Sequence, residues 1–162
     1  DIAIPVGNYE FYRITGAYRV AGDNTLSAGL EAETGPFYDG WLNSVTFTPR
    51  WYLSKHFQFN LEYVYNDADF EDRDERFRFH ITRLRIVTAV NRKISTNALV
   101  QYNSNADLFS ANIRFRYNFR EGQDLWIVLN TGMNTNRRDY YPELPAVDTQ
   151  SMLIKYLHTF IF

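Results

Sequence analysis

The chain has 162 residues and a formal net charge of -2 at neutral pH, which suits one domain and gives no basic footprint for nucleic acid. It contains no cysteine, which excludes disulfides, thiolate metal sites and a cysteine nucleophile. Aromatic residues make up 17% of the chain although its mean hydropathy is negative, a combination typical of membrane β-barrels whose strands face lipid and water on opposite sides.

Alternation with a period of two residues dominates the chain and predicts an all-β, antiparallel transmembrane β-barrel. No apolar run approaches the roughly 20 residues that a membrane helix needs. No signal peptide is recognisable, so we expect an exported protein to be present here in mature or truncated form. The pattern predicts about nine strands, near residues 8–20, 25–35, 41–53, 57–66, 76–90, 94–103, 108–120, 124–133 and 150–162.

The predicted connections alternate in length, as expected for short periplasmic turns opposite longer outer loops. Short turns are predicted at residues 21–24, 54–56, 91–93 and 120–124. Longer loops are predicted at residues 35–40, 67–75, 104–107 and 134–149. The strand over 76–90 changes phase along its length, which indicates either a β-bulge near Thr82 or an extension that carries Phe77 and Phe79 above the bilayer.

One set of alternating side chains is apolar and is predicted to face lipid. Aromatic residues near the strand ends are predicted to anchor the protein at the membrane interfaces, and sugar stacking on Phe37, Tyr38 and Trp41 is the functional alternative. The predicted lipid-facing residues are Leu26, Leu30, Phe47, Phe59, Leu61, Tyr63, Ile113, Phe115, Ile154 and Phe160.

The opposite set of side chains is polar and carries most of the strand charges. These residues are candidates to line a pore or to bind an anionic solute, and the alternative is that they pair across neighbouring strands and fill the interior. The predicted lumenal charge cluster comprises Glu31, Glu33, Glu62, Arg83, Arg85, Arg114, Arg116 and Lys155. Further charges on the same predicted face are Arg13, Arg19 and Arg50.

Several phrases of the sequence recur in one protein family. They lie at residues 35–40, 83–85, 101–103, 112–117, 122–128 and 155–162. On these phrases the chain resembles the C-terminal barrel of outer-membrane proteins of unknown function that carry an N-terminal domain like carbohydrate-binding module family nine. The resemblance implies a longer barrel and an upstream carbohydrate-binding-like domain, whose sugar-binding role falls on no residue of this sequence.

The odd strand count favours a fragment. Bacterial single-chain barrels have an even number of strands with both ends in the periplasm. We therefore expect residues 1–162 to form the C-terminal part of a longer chain, with upstream strands of the same protein as partners. By resemblance to outer-membrane barrels, Phe162 is expected to be the C-terminal signal that the barrel-assembly machinery recognises.

No catalytic, cofactor or metal residue is assigned from the sequence. Six carboxylates between residues 67 and 75 suggest calcium, but the loop lacks the glycine of an EF-hand and arginines interrupt it, which favours a solvated acidic loop. These carboxylates are Asp67, Asp69, Glu71, Asp72, Asp74 and Glu75. The isolated residues His56, His80 and His158 form no zinc motif, and the chain has no nucleophile elbow and no phosphate loop.

Three functions follow as hypotheses. The first is an integral barrel of the bacterial outer membrane that serves transport, docking or surface assembly, linked to glycan handling by the resemblance alone. The second is a soluble, lipocalin-like ligand-binding barrel, and the third is a membrane-embedded hydrolase. A lipocalin turns its apolar side inward, so the direction in which Phe57, Phe59, Leu61 and Tyr63 face separates the first two hypotheses.

Overall fold

A computed structural model describes residues 5–20, 22 and 25–159 of the protein. Across these residues it contains nine β-strands and one turn of 3-10 helix over Glu71–Arg73, but no helix long and apolar enough to cross a membrane. The strands are β1 (Ile14–Val20), β2 (Leu26–Phe37), β3 (Gly40–Ser54), β4 (Phe57–Phe70), β5 (Glu75–Ala89), β6 (Ile94–Asn103), β7 (Leu108–Arg120), β8 (Gln123–Asn134) and β9 (Val147–His158).

All nine strands belong to one antiparallel sheet, in which each strand pairs with its neighbours in the chain. This confirms the predicted all-β class and the predicted strand number. Because the strands alternate in direction, β1 and β9 point the same way. Within the described residues the sheet is open, with β1 and β9 at its two edges.

The strand ends differ from the prediction mainly at the expected long loops. The connection predicted over 35–40 is a two-residue turn at Tyr38 and Asp39, with Tyr38 in the left-handed region at φ 56°. The connection predicted over 67–75 shortens to residues 71–74. The predicted contrast in loop length is therefore wrong at these two places, because ladder pairing continues past the point where the side chains change in polarity.

The first and last strands also differ from their predicted bounds. Residues 8–13 are irregular, so the first strand begins at Ile14 instead of residue 8. The last strand runs over Val147–His158 instead of 150–162. Much of the turn predicted over 21–24 lies outside the described residues, as do residues 160–162 with Phe160 and Phe162.

The strand register assigns every side chain to one of two faces, because directly paired residues of an antiparallel sheet share a face. Leu30 pairs with Tyr18 and with Phe47, and Phe47 pairs with Tyr63. We call the side of the sheet that carries this row the apolar face, and the other side the polar face. The described residues predicted to face lipid all lie on the apolar face: Leu26, Leu30, Phe47, Phe59, Leu61, Tyr63, Ile113, Phe115 and Ile154.

The apolar face is open to the surroundings over the width of the sheet. Among the described apolar residues only Ala68 and Phe70 are buried, whereas Leu26 is 54% exposed at one side of the sheet and Ile154 is 60% exposed at the other. No second sheet or packed helix covers this face in the described part of the chain. Soluble proteins rarely expose contiguous apolar patches above a few hundred Å², so this face needs a covering.

The polarity of the two faces reverses at the end of the β4–β5 hairpin. There the polar face carries the buried Ala68 and Phe70, and the apolar face carries Asp67 opposite Arg78. The β4–β5 register is continuous over its whole length, so the predicted alternative of a bulge near Thr82 is wrong. We call this part of the hairpin, residues 67–78, the loop end.

Candidate functional site

A cavity of about 740 Å³ lies on the polar face and is bounded by residues of strands β1 to β6. A cavity that reaches across so many strands indicates that the sheet curves toward this face, which we call the concave side. The floor consists of short side chains. The polar-face residues of the floor are Ser27, Gly29, Thr48 and Asn60, and the charged residues around it are Arg19, Arg50, Glu62, Arg83 and Arg85.

Register brings the arginines of three separate strands to the same place. Arg50 on β3 pairs with Asn60 on β4, and Asn60 pairs with Arg85 on β5. Arg50 and Arg85 are thus two strands apart, about 10 Å between backbones. Arg19 on β1 pairs with Gly29 and borders the same cavity from the side.

Gly29 keeps the floor of the cavity low. A Cβ atom at this position would lie 2.6 Å from the Thr48 hydroxyl oxygen and 3.9 Å from Cγ of Arg19. Real Cβ contacts are not that short, so any larger residue would displace its neighbours and reduce the space between the arginines. The absence of a side chain here leaves room for a ligand or for water.

The charges around the cavity do not balance. Arg83 donates to Glu62 in an ion pair across the β4–β5 ladder. Arg19, Arg50 and Arg85 are exposed and have no ion-pair or hydrogen-bond partner among the described residues. Four arginines and one glutamate give a formal surplus of three positive charges, although the whole chain carries a net charge of -2.

The other charges of the predicted lumenal cluster also lie on the polar face, but away from the cavity. Glu33 forms an ion pair with Arg13 at 2.8 Å, and Glu31 lies beyond the cavity without an ion pair in the described residues. Three more lie on the β7–β9 side: Arg114 donates to Asn112 at 3.0 Å, Arg116 bonds Asp124 at 2.8 Å and lies over Trp126, and Lys155 pairs with Trp126 across the ladder.

The structure therefore pairs only part of the predicted cluster. Cross-strand ion pairs, the alternative to a pore or an anion site, include Glu33, Glu62, Arg83 and Arg116. In the described part of the chain they do not include Arg85, nor Arg19 and Arg50, which the sequence placed on this face without linking them to one site. The strand alternation reveals the face of each arginine, but only the register reveals that these three border one cavity.

Arginines form ion pairs with three of the six carboxylates at the loop end. Asp67 bonds Arg76 and lies 3.5 Å from Arg78, and Arg73 bonds Asp39 at 3.0 Å. No group of three possible ligands in the described part of the chain could hold a metal ion. The hydrogen bond from Arg76 holds the pKa of the Asp67 carboxyl below its usual value.

The histidines have partners that indicate structural roles. The His56 ring bonds the backbone oxygen of Ala89 at 2.5 Å, and the His80 ring bonds the Tyr63 hydroxyl at 2.7 Å. The ring of His158 bonds the Gln123 side chain at 2.7 Å. A hydrolase would need a histidine ring beside a serine or carboxylate nucleophile, whereas the rings of His56 and His80 bond a backbone oxygen and a tyrosine hydroxyl. The membrane-embedded hydrolase stays a hypothesis.

The aromatic residues suggested as sugar contacts lie against other parts of the chain. Tyr38 packs edge-on against Tyr9 and Phe11, each at 5.5 Å between ring centroids. The indole nitrogen of Trp41 donates to the Thr34 hydroxyl at 2.6 Å. These contacts fix the turn between β2 and β3, and sugar stacking there stays a hypothesis.

In comparisons with known proteins, no family model and no curated protein matches the chain. The resemblance to outer-membrane proteins with a carbohydrate-binding-like domain therefore stays a prediction.

Proposed function

We propose that this protein is an integral β-barrel protein of the bacterial outer membrane, with its apolar face toward lipid and its polar face toward a water-filled interior. The observation that carries this proposal is the opposition of the two faces. An exposed apolar surface covers the convex side, whereas the concave side holds the charged cavity. Membrane barrels need this arrangement, because lipid covers their outer surface and water hydrates their inner charges.

The length of the apolar band supports a membrane span. On β4 the apolar face runs from Phe57 to Tyr65 and then changes to Asp67 and Asp69. A tilted strand needs about 9–11 residues to cross the hydrocarbon layer, which this band provides. The loop end, with its arginine–carboxylate pairs, then lies outside the hydrocarbon.

Closure of the barrel needs strands beyond the nine described. Both edge strands point the same way, so direct pairing of β1 with β9 would be parallel, which bacterial barrels avoid. An odd number of additional strands restores an antiparallel seam, and open edges in lipid would cost several kcal/mol for each unsatisfied backbone group. Upstream strands of the same protein, inserted by the barrel-assembly machinery, meet this need.

The soluble lipocalin alternative demands the opposite arrangement. A lipocalin binds apolar ligands inside an apolar cavity and exposes its polar side to water. Here the cavity is bordered by arginines, and Leu30 and Phe47 point away from it. Transport, docking and surface assembly all suit a barrel with a polar interior, and the resemblance alone connects them with glycans.

Two tryptophans on opposite faces provide the test. Trp51 lies on the apolar face and is 46% exposed, whereas Trp126 lies on the polar face beneath the Arg116 guanidinium. In the full-length protein, one variant keeps Trp51 as the only tryptophan of residues 1–162 (Trp41→Phe with Trp126→Phe), and its match keeps only Trp126 (Trp41→Phe with Trp51→Phe). In vesicles that contain brominated lipids, we expect strong quenching of Trp51 fluorescence and little quenching of Trp126.

The opposite quenching pattern would place the polar face toward lipid and would overturn the proposal. Equal, weak quenching of both residues, in protein that does not co-sediment or co-float with the vesicles, would favour the soluble alternative. Because both variants lack Trp41 and share every tryptophan outside residues 1–162, the difference in quenching between them reports the two faces alone.

A further inference from the structure

Resting on the proposed function, we propose that the arginine cavity on the polar face binds an anionic solute that carries two or more carboxylate, sulfate or phosphate groups. The three arginines without a partner among the described residues, Arg19, Arg50 and Arg85, would contact the anionic groups. The cavity thus indicates which class of ligand the barrel interior binds, whereas the fold alone indicates none.

The first support is the position of the positive charge. Arg50 and Arg85 flank Asn60 on adjacent strands, so their flexible side chains reach over the same floor. Like charges held together on one surface repel each other, and an anion between them removes this cost. Arg83 shows the contrast, because a glutamate on the next strand already neutralises it.

The second support is the shape of the floor, which is independent of charge. Ser27, Gly29, Thr48 and Asn60 leave a depression of about 740 Å³, a volume within the range of small-molecule sites. Hydroxyl and amide groups on this floor can bond the ligand while the guanidinium groups provide planar, paired donors for its oxygens. Merely solvated lumen arginines would need no such depression.

The multivalency of the ligand follows from the spacing of the arginines. The backbones of Arg50 and Arg85 are about 10 Å apart, and Arg19 borders the cavity from a third strand. One small monovalent anion satisfies one guanidinium fully, whereas a ligand with several anionic groups contacts all three. Citrate, a tricarboxylate, is the probe for this arrangement, and glucose is its uncharged counterpart.

The test is calorimetric titration of the full-length protein, folded in detergent micelles at low salt, with citrate and with glucose. We expect citrate to bind and glucose to give no heat. The double variant Arg50→Gln/Arg85→Gln should weaken citrate binding about tenfold or more, because it removes two charge-assisted contacts. The matched control is Arg114→Gln, an arginine of the same face that lies outside the cavity, and it should change the affinity by less than about twofold.

Gly29→Leu separates a shaped site from diffuse attraction. It keeps every arginine but fills the floor, so it should also weaken citrate binding. Equal losses from Arg114→Gln and from the double variant, or unchanged binding in Gly29→Leu, would overturn the inference. So would the absence of citrate heat from wild-type protein whose far-ultraviolet circular dichroism shows a folded β-sheet.

These outcomes are distinct from those of the tryptophan test. Trp51 quenching by lipid without citrate binding would leave the membrane proposal standing and remove the anion site. Citrate binding by protein that stays soluble without detergent would support the site and remove the membrane proposal.

Discussion

Leu61 and Asn60 are consecutive residues with opposite surroundings. Leu61 lies in the middle of β4 and pairs with Leu84 on the apolar face, whereas Asn60 lies on the cavity floor between two arginines. Successive side chains of a strand point to opposite sides, so one step along the chain changes the environment from apolar to charged. The proposed function is therefore testable one residue at a time.

Leu61→Arg should impair insertion into liposomes, because an arginine at the bilayer midplane costs about 2–4 kcal/mol in membrane barrels. The matched control is Gln58→Arg, which adds the same charge to the same strand on the polar face and outside the cavity. The measurement is the folded fraction in a liposome assay, read from migration on unheated gels. Equal losses in both variants would contradict the assigned faces.

The β4–β5 hairpin combines two environments within one element. The part away from the loop end carries the alternating pattern of a membrane strand. At the loop end the polarity of the two faces is exchanged, and a small buried cluster surrounds Ala68 and Phe70. In the proposed barrel this loop end extends into water, where it buries its apolar side against itself and turns its charges outward. The reversal between Tyr65 and Asp67 therefore marks the proposed edge of the bilayer.

Asp67→Asn should destabilise this loop end at neutral pH, because Asp67 accepts the Arg76 bond and lies near Arg78. The pKa of Asp67 is lowered in the folded state, so its contribution is present above the ordinary aspartate pKa of about 4 and is lost as the pH falls through the lowered value. Thermal unfolding at pH 7 should separate variant from wild type, and the difference should shrink below about pH 4.

Asp72→Asn is the control for this prediction, since Asp72 is an exposed carboxylate of the same turn. A variant Asp67→Asn as stable as Asp72→Asn at pH 7 would show that the arginine contacts contribute nothing. A difference that grows at acidic pH would show that the sign of the pKa shift is wrong.

Much of each element was predictable from alternation, since a strand that is apolar on one side and polar on the other repeats every second residue. β6 and β7 match their predicted bounds, and β4 matches at its start. The connection around Tyr38 was predicted too long, because Gly35 and Pro36 resemble loop residues although both pair with β3. The first strand was predicted too long, because alternation does not reveal that Tyr9 and Phe11 pack on Tyr38 instead of entering the sheet.

The candidate site was predictable only as a face. The alternation along each strand predicts that the arginines lie on the polar face. Their position around one cavity depends on the strand register and on the curvature of the sheet. Both properties arise from contacts between strands that single-strand patterns do not contain. The role of Gly29 in the cavity floor could not be predicted from the sequence either, because a glycine within a strand has several explanations.

At the scale of the molecule, the described sheet is open, and its two edge strands point in the same direction. The closure of the proposed barrel therefore depends on what lies between these edges. β8 and β9 are direct neighbours, with Leu129 opposite Met152. β1 carries Tyr18 on the same apolar face and has one described neighbour, β2. In the proposed barrel, additional strands separate β1 from β9.

Engineered cysteines can test this separation, because residues 1–162 contain no cysteine and any cysteine elsewhere in the full-length protein can be replaced by serine. The pair Leu129→Cys/Met152→Cys should form a disulfide on oxidation of the membrane-inserted, full-length protein, since cross-strand partners lie within about 5.5 Å between Cα atoms. The pairs Tyr18→Cys/Met152→Cys and Tyr18→Cys/Ile154→Cys should stay reduced. A disulfide from Tyr18 to β9 would place the two edges side by side and contradict the added strands.

The order of the strands in the sheet is their order in the chain, and this simple connectivity affects how such a protein can change over evolutionary time. No described connection passes over another strand, so a duplicated or deleted hairpin leaves every remaining turn where it was. In the proposed barrel, the circumference can grow or shrink in steps of two strands while each surviving pair keeps its register. A lineage built this way can acquire a wider or narrower lumen through one small gene rearrangement, without inventing a new topology.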